Sequence, residues 1–254
     1  MSTFGSQPFD ATQGKKLIFD IETIGVDFET LDKISQEYLL QYAESEEEEK
    51  ETKESLGFYP LTGEVVAIGI LNPDTNKGAI YLKIPNSQFL IPNSSLEEGL
   101  PAEALAKEGI TIETGDEKQI LEKFWETIKQ YNYFITFNGR TFDAPFLMIR
   151  SAILDVKPSK NLMSNRYLSS QKYDALHIDL LDQLTFYGAV RKKFTLHFWS
   201  KAFGIKSPKE GGTTGDDVGP LYKEGKLLEI AKYNLGDLKA TKELYEKWDA
   251  YLNF

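Results

Sequence analysis

The stretch Lys16-Leu17-Ile18-Phe19-Asp20-Ile21-Glu22-Thr23 decides how the rest of the chain is read. Leu17 to Ile21 is a short β-prone run that reads as a buried strand, with Asp20 and Glu22 at its end. Alternate residues of a strand point to one face. The two carboxylates therefore share a face, while Phe19 and Ile21 point to the opposite, packed one. Two carboxylates so placed repel each other unless cations lie between them. An acidic strand end beside a turn has the same sequence, so the pair alone leaves structure and chemistry both open.

Two further segments carry acids in suggestive settings. Tyr133 to Phe137 reads as a hydrophobic strand that turns through Asn138-Gly139-Arg140-Thr141-Phe142-Asp143 into a helix around Ala144 to Ser151. Asp143 can cap that helix, with Ala144 and Pro145 in its first turn. A strand-to-helix junction is also where an open α/β sheet presents its site. Near the C-terminus, Leu227 to Tyr251 reads as one helix, which puts Tyr233 and Asp237 one turn apart on one face. Gly236 between them is a poor helix former and hints at a close approach or a local bend. Tyr233 could equally be amphipathic core packing.

The intervening elements alternate as an α/β chain should. Glu64–Leu71 and Gly78–Ile84 form a hairpin joined by the turn residues Asn72 to Gly78. Asp116–Gln130 has helical periodicity, with Ile120, Leu121, Phe124 and Ile128 facing inward. A segment near Ala175–Leu184 and a helix near Lys193–Phe203 complete the order. Asp27 to Lys53 reads as a helical, increasingly acidic excursion whose glutamate run, Glu46 to Glu49, is a solvated face. Pro85 to Glu108, rich in Pro, Ser and Glu, reads as a loop insertion. The expected organisation is a flexible tail at 1–14 and a single domain at 15–254, with insertions near 27–60 and 85–115.

With 254 residues, 41% of them hydrophobic and 13% aromatic, the chain suits one sizeable packed domain rather than two. The absence of cysteine excludes thiolate catalysis and cysteine-ligated metals, so any metal must be held by oxygen or by the two histidines. His177 and His197 each follow a leucine in an apolar stretch and read as structural. A net charge of -10 argues against nonspecific affinity for long duplexes. No run approaches the ~20 apolar residues that span a bilayer, and no secretion signal precedes the first strand, so the expectation is a soluble, cytoplasmic protein without membrane contact.

Each motif alone is weak, but Asp-x-Glu, then Asn-x-x-x-Phe-Asp, then Tyr-x-x-x-Asp occur here in that order. This resembles the DEDD exonuclease superfamily in its tyrosine-bearing subclass, and more closely the predicted exonucleases related to the proofreading domain of family B DNA polymerases. The resemblance runs from about Lys15 to Trp248. It implies an α/β, ribonuclease H-like mixed β-sheet flanked by helices. It also implies 3′-to-5′ hydrolysis of phosphodiester bonds with two Mg²⁺ or Mn²⁺ ions.

By the same resemblance Asp20 bridges the ions, Glu22 and Asp237 complete the shell of one, and Asp143 helps hold the other. Tyr233 orients the water. Thr23 and Ile24 contact the terminal nucleotide in a pocket shaped by Asn138 and Phe142. Asn138 also fits a role in stabilising the turn after the strand. Arg140, Arg191, Lys192 and Lys193 are candidates for phosphate contacts. The implied partner is a nucleic-acid 3′ end, DNA more than RNA. Two rivals remain: a ribonuclease H-like binding module without catalysis, and a ribonuclease H-like endonuclease.

Overall fold

A computed structural model describes residues 15–85 and 102–254, so the expected tail at 1–14 and most of the Pro85–Glu108 loop lie outside the described residues. The first strand, β1, runs Lys16–Gly25, well past the apolar run that announces it. Its extension comes from β2 (Gly63–Leu71), which pairs with it antiparallel from Ile18 opposite Leu71 to Gly25 opposite Gly63. Asp20 and Glu22 therefore sit within the strand and not at its end. A bulge between Glu22 and Thr23 breaks the register just beyond them.

Between β1 and β2 lie α1 (Lys33–Leu40) and α2 (Glu46–Glu54), neither with a buried residue, so the glutamate run is solvated as expected. β3 (Gly78–Lys83) completes the hairpin with β2. In the turn between them Asn72 Oδ1 accepts from the N–H groups of Asp74 and Thr75, and Asn76 is left-handed at φ 57. The end of the expected loop insertion is regular structure instead: α3 (Ala102–Lys107) leads into β4 (Ile110–Gly115), which pairs parallel with β3. Ile110 and Ile112 both pack on the core, and this period-2 pattern makes the segment a strand.

Asp116 caps α4 (Glu117–Ile128) through a capping box with Gln119, and Ile120, Leu121, Phe124 and Ile128 are buried along it. β5 (Tyr133–Thr136) lies parallel to β1, followed by α5 (Asp143–Ile153). The Ala175–Leu184 segment resolves into β6 (Leu176–Asp179), parallel to β5, and α6 (Leu180–Leu184). α7 (Leu196–Ala202), α8 (Val218–Lys223) and the long α9 (Leu227–Tyr251) complete the chain. The result is a mixed sheet ordered β4-β3-β2-β1-β5-β6, with helices on both faces.

The strand alternation sorts two cores. Leu17, Phe19 and Ile21 pack with Phe124, Phe146 and Leu147 from α4 and α5. Ile18 packs with Ile230, Leu238 and Leu244 from α9. Asp20 and Glu22 continue the Ile18 side and so lie beneath α9. On the other side a buried ion pair ties α4 to α5: Arg150 donates to Glu117 at 2.8 and 2.6 Å, and Glu117 also accepts from Val65 N–H of β2 at 2.9 Å.

Candidate active site

Strand β1 and helix α9 bring distant acids together. Carboxylate oxygens of Asp20, Glu22 and Asp237 lie within 4.8 Å of one another. Asp237 is one turn beyond Tyr233 on α9, close enough for the carboxylate and the phenol to act on each other's ionisation. Helix α9 passes through Gly236 without interruption. A Cβ there would stand 3.4 Å from Pro208, an ordinary contact, so neither a bend nor an obligatory close approach explains this glycine.

Asp143 joins from the other side of β1. Strand β5 pairs with β1 only as far as Ile18 opposite Ile135, which leaves the next part of β1 without a strand neighbour on that edge. The Asp143 carboxylate takes up this position: its Oδ1 accepts from Ile21 N–H at 3.0 Å. This replaces the capping role that the sequence allowed, because the N-cap position is Phe142 and makes no side-chain cap. Asp143 is outside the 4.8 Å cluster, although its charge acts on Asp20 and Glu22.

The turn that carries Asp143 is built on Asn138, which is left-handed at φ 64, a conformation asparagine tolerates better than most residues. Its Oδ1 accepts from the Thr141 hydroxyl at 2.6 Å. Buried Asp179 at the end of β6 then grips the turn by accepting from Asn138 N–H at 2.9 Å and Arg140 N–H at 3.0 Å. The turn-stabilising reading of Asn138 is thus observed. Phe142 stacks against Phe146, ring centroids 5.5 Å apart, and stays partly exposed. Thr23 donates its hydroxyl to Gly57 O at 2.7 Å, and Ile24 leans on the α9-side core.

Burial dominates the electrostatics. Together with the negative charges of Asp143, Asp237 and Glu22 it pushes Asp20 well above the ordinary carboxylate range, against a hydrogen bond from Asn234. Glu22 rises for the same reasons, with burial foremost and Asp237 next. Asp143 is pushed up to about 7, chiefly by burial and against the Ile21 N–H. Asp237 is also raised to about 7 by burial, opposed by the Tyr233 hydroxyl and by Lys209. Burial and the neighbouring acids raise the Tyr233 phenol too, so it remains a protonated donor at neutral pH. Three crowded, desolvated carboxylates with only oxygen donors suit hard divalent cations such as Mg²⁺ or Mn²⁺.

Arg140 is buried and donates to Leu162 O at 3.2 Å, so it is not an exposed phosphate contact; the turn that carries it tucks the side chain inward. Arg191, Lys192 and Lys193 are exposed. His177 is structural: Nδ1 donates to Leu162 O at 3.0 Å, Nε2 accepts from Thr136 at 2.8 Å, and burial lowers its pKa to about 3. His197 pairs with Ser207 at 2.7 Å.

The sequence reading missed Asn234, Asp179 and Lys209. Asn234 had a signal, since it lies three residues before Asp237 on the same helix. Asp179 and Lys209 had none, because only the folded sheet and the turn at Pro208–Gly211 bring them near the acids.

Residues 102–251 match the family described as predicted 3′-5′ exonucleases related to the exonuclease domain of PolB. The chain belongs to this family. The matched region contains Asp143, Tyr233 and Asp237, and β1 with Asp20 and Glu22 completes the site from outside it.

Among relatives of this family member, a DNA polymerase of Desulfurococcus sp. (strain Tok) is 30% identical over 50% of this chain and 18% of the polymerase. DNA polymerase 1 of Sulfolobus acidocaldarius is also 30% identical, over 46% of this chain and 12% of the polymerase. The chain thus spans under a fifth of these relatives. The family B DNA polymerase from Pyrobaculum calidifontis superposes with a TM-score of 0.57 at 16% identity, covering 94% of this chain and 25% of the polymerase. At this identity the likeness speaks for the fold alone, an α/β, ribonuclease H-like mixed sheet flanked by helices.

Proposed function

We propose that this chain is a metal-dependent 3′-to-5′ exonuclease that removes 5′-mononucleotides from nucleic-acid 3′ ends, single-stranded DNA in preference to RNA. The observation that carries the reading is the convergence of Asp20, Glu22 and Asp237 oxygens within 4.8 Å, with Tyr233 one helical turn before the last of them. The preference for DNA rests on relatives named DNA polymerases.

Asp20, Glu22 and Asp237 would hold divalent ions, two per site by the family pattern, with Asp143 completing the acidic ring. When bound, such ions supply Lewis acidity to a water and to the leaving 3′ oxygen. Tyr233, held protonated by burial and the neighbouring acids, would orient the attacking water through its hydroxyl; it is not a base. Thr23 has committed its hydroxyl to Gly57, so it offers backbone and methyl to the terminal nucleotide, beside Ile24. Phe142 presents a partly exposed ring, and Asn138 shapes the pocket through the turn it stabilises.

Labelled linear and circular single-stranded DNA, recessed-end DNA and RNA, incubated with Mg²⁺ or Mn²⁺, test the reading on one gel. Ladders shortening from the 3′ end of linear DNA, absent with Asp20→Ala, are expected. Equal cutting of the circle would replace the exonuclease with an endonuclease, and inactivity on every substrate would favour a binding module.

A further inference from the structure

Asn234 stands one residue after Tyr233 on α9, and its side chain is fully buried between the helix and the sheet. Its amide nitrogen donates to Asp20 Oδ2 at 2.9 Å, to Asp20 O at 3.3 Å and to Glu22 Oε1 at 3.3 Å. One amide thus holds one oxygen of each β1 carboxylate and leaves the second oxygen of each unengaged among the described residues. Like-charged side chains on one strand face would otherwise swing apart, so these bonds oppose the motion that would open the cluster.

The sheet is cut to fit this amide. Gly69 is the residue of β2 directly opposite Asp20. A Cβ on Gly69 would fall 1.8 Å from Asn234 Oδ1 and 2.9 Å from its Cγ, so any side chain there would drive the amide off the carboxylates. Asn234 Oδ1 itself makes no hydrogen bond among the described residues, although burying a bare carbonyl oxygen is unfavourable. The side chain is kept where its N–H groups serve the acids at the expense of its own oxygen.

We infer that Asn234 is a positioning residue for the metal-binding carboxylates, an outer donor that stays in place when a divalent ion binds and presents the free oxygens of Asp20 and Glu22 to it, with Gly69 supplying the space. The inference rests on the proposed metal site. Outer donors of this kind typically change metal affinity by ~10- to 100-fold when removed.

The test measures Mn²⁺ binding to the full chain without substrate, from the electron paramagnetic resonance signal of free Mn²⁺, for wild type, Asp20→Ala, Asn234→Leu and Gly69→Ala. Asn234→Leu keeps the branched shape and removes the donors; Asn234→Ala serves if the larger leucine fails to fold. The expected result is binding abolished by Asp20→Ala and weakened ~10- to 100-fold by Asn234→Leu, with Gly69→Ala shifted the same way. Any nuclease turnover should recover towards wild type at saturating Mn²⁺, because the buried Asn234 amide acts through the Asp20 and Glu22 carboxylates. A merely structural asparagine would lower melting temperature and leave Mn²⁺ affinity alone.

Unchanged affinity in a folded Asn234 variant overturns the inference, and tighter binding overturns it by showing that the amide competes with the ion. Wild type that binds no Mn²⁺ overturns the inference and the metal site together. Wild type that binds Mn²⁺ through Asp20 but cleaves nothing defeats only the exonuclease reading.

Discussion

Replacing Asp143 with asparagine should stabilise the metal-free protein. An aspartate titrates near 3.8 in the unfolded chain, and burial raises Asp143 to about 7 in the fold. The folded state therefore holds its proton more tightly. Ionisation opposes folding by an amount that is nil below about pH 4, grows through the window between the two values and is constant above about pH 7. At ~1.36 kcal/mol per pH unit, the rise corresponds to roughly 4 kcal/mol at pH 8. The amide keeps an acceptor for Ile21 N–H and loses only the charge. It also forfeits a favourable carboxylate in the first turn of α5, worth about 0.3–1 kcal/mol, so burial wins and a net gain of roughly 3 kcal/mol remains. For a chain of this size that is an increase in melting temperature of about 6–12 °C. Melting curves at pH 8 in chelator should show this gain, which should vanish near pH 4. Saturating Mg²⁺ should narrow it by stabilising wild type more than the variant. A variant that melts at or below wild type at pH 8 without metal would refute the argument and restore a structural role for the carboxylate.

Tyr233→Phe keeps the ring and removes only the hydroxyl, so turnover should fall by ~10²- to 10⁴-fold, with Mn²⁺ affinity and melting temperature nearly unchanged. Single-turnover kinetics beside a Mn²⁺ titration check this, and normal turnover would return Tyr233 to the core. Glu117→Gln leaves the Arg150 guanidinium buried without its counter-charge and should cost about 3–5 kcal/mol, read from urea unfolding. Replacing Glu46, Glu47, Glu48 and Glu49 together with glutamine should move stability by no more than about 0.5 kcal/mol per site, because none of α2 is buried. Larger destabilisation in the same unfolding assay would show that the acidic helix is part of the fold.

Helix α9 and the hairpin of β2 and β3 were legible in the sequence because apolar periodicity and turn residues lie close together along the chain. Asp20 with Glu22 and Tyr233 with Asp237 were legible through their spacing: two residues apart on a strand and four apart on a helix each place side chains on one face. What escaped was non-local. Strand β4 hid behind a Pro-, Ser- and Glu-rich run, and only pairing with β3 fixes it. Asp143 read as a cap because the residues after it start a helix, yet its partner is Ile21, 122 positions away. Arg140 read as a surface cation, and only the folded turn shows it reaching the Leu162 carbonyl. Strand β1 read as too short because its second half is held by β2 and not by its own apolar content.

The hydrogen bond between Asn234 and Asp20 spans 214 positions. Synthesis runs from the N-terminus, so β1 is made long before α9 and its acids wait for almost the whole chain before their partners exist. Contacts of such separation form slowly and late. A ribosome-bound chain that has not yet reached Asp237 has the early strands but not the third acid. On the proposed reading the acidic cluster stays incomplete until this long helix docks, and nascent chains that lack it should cleave no nucleic acid even where most of their sheet has formed.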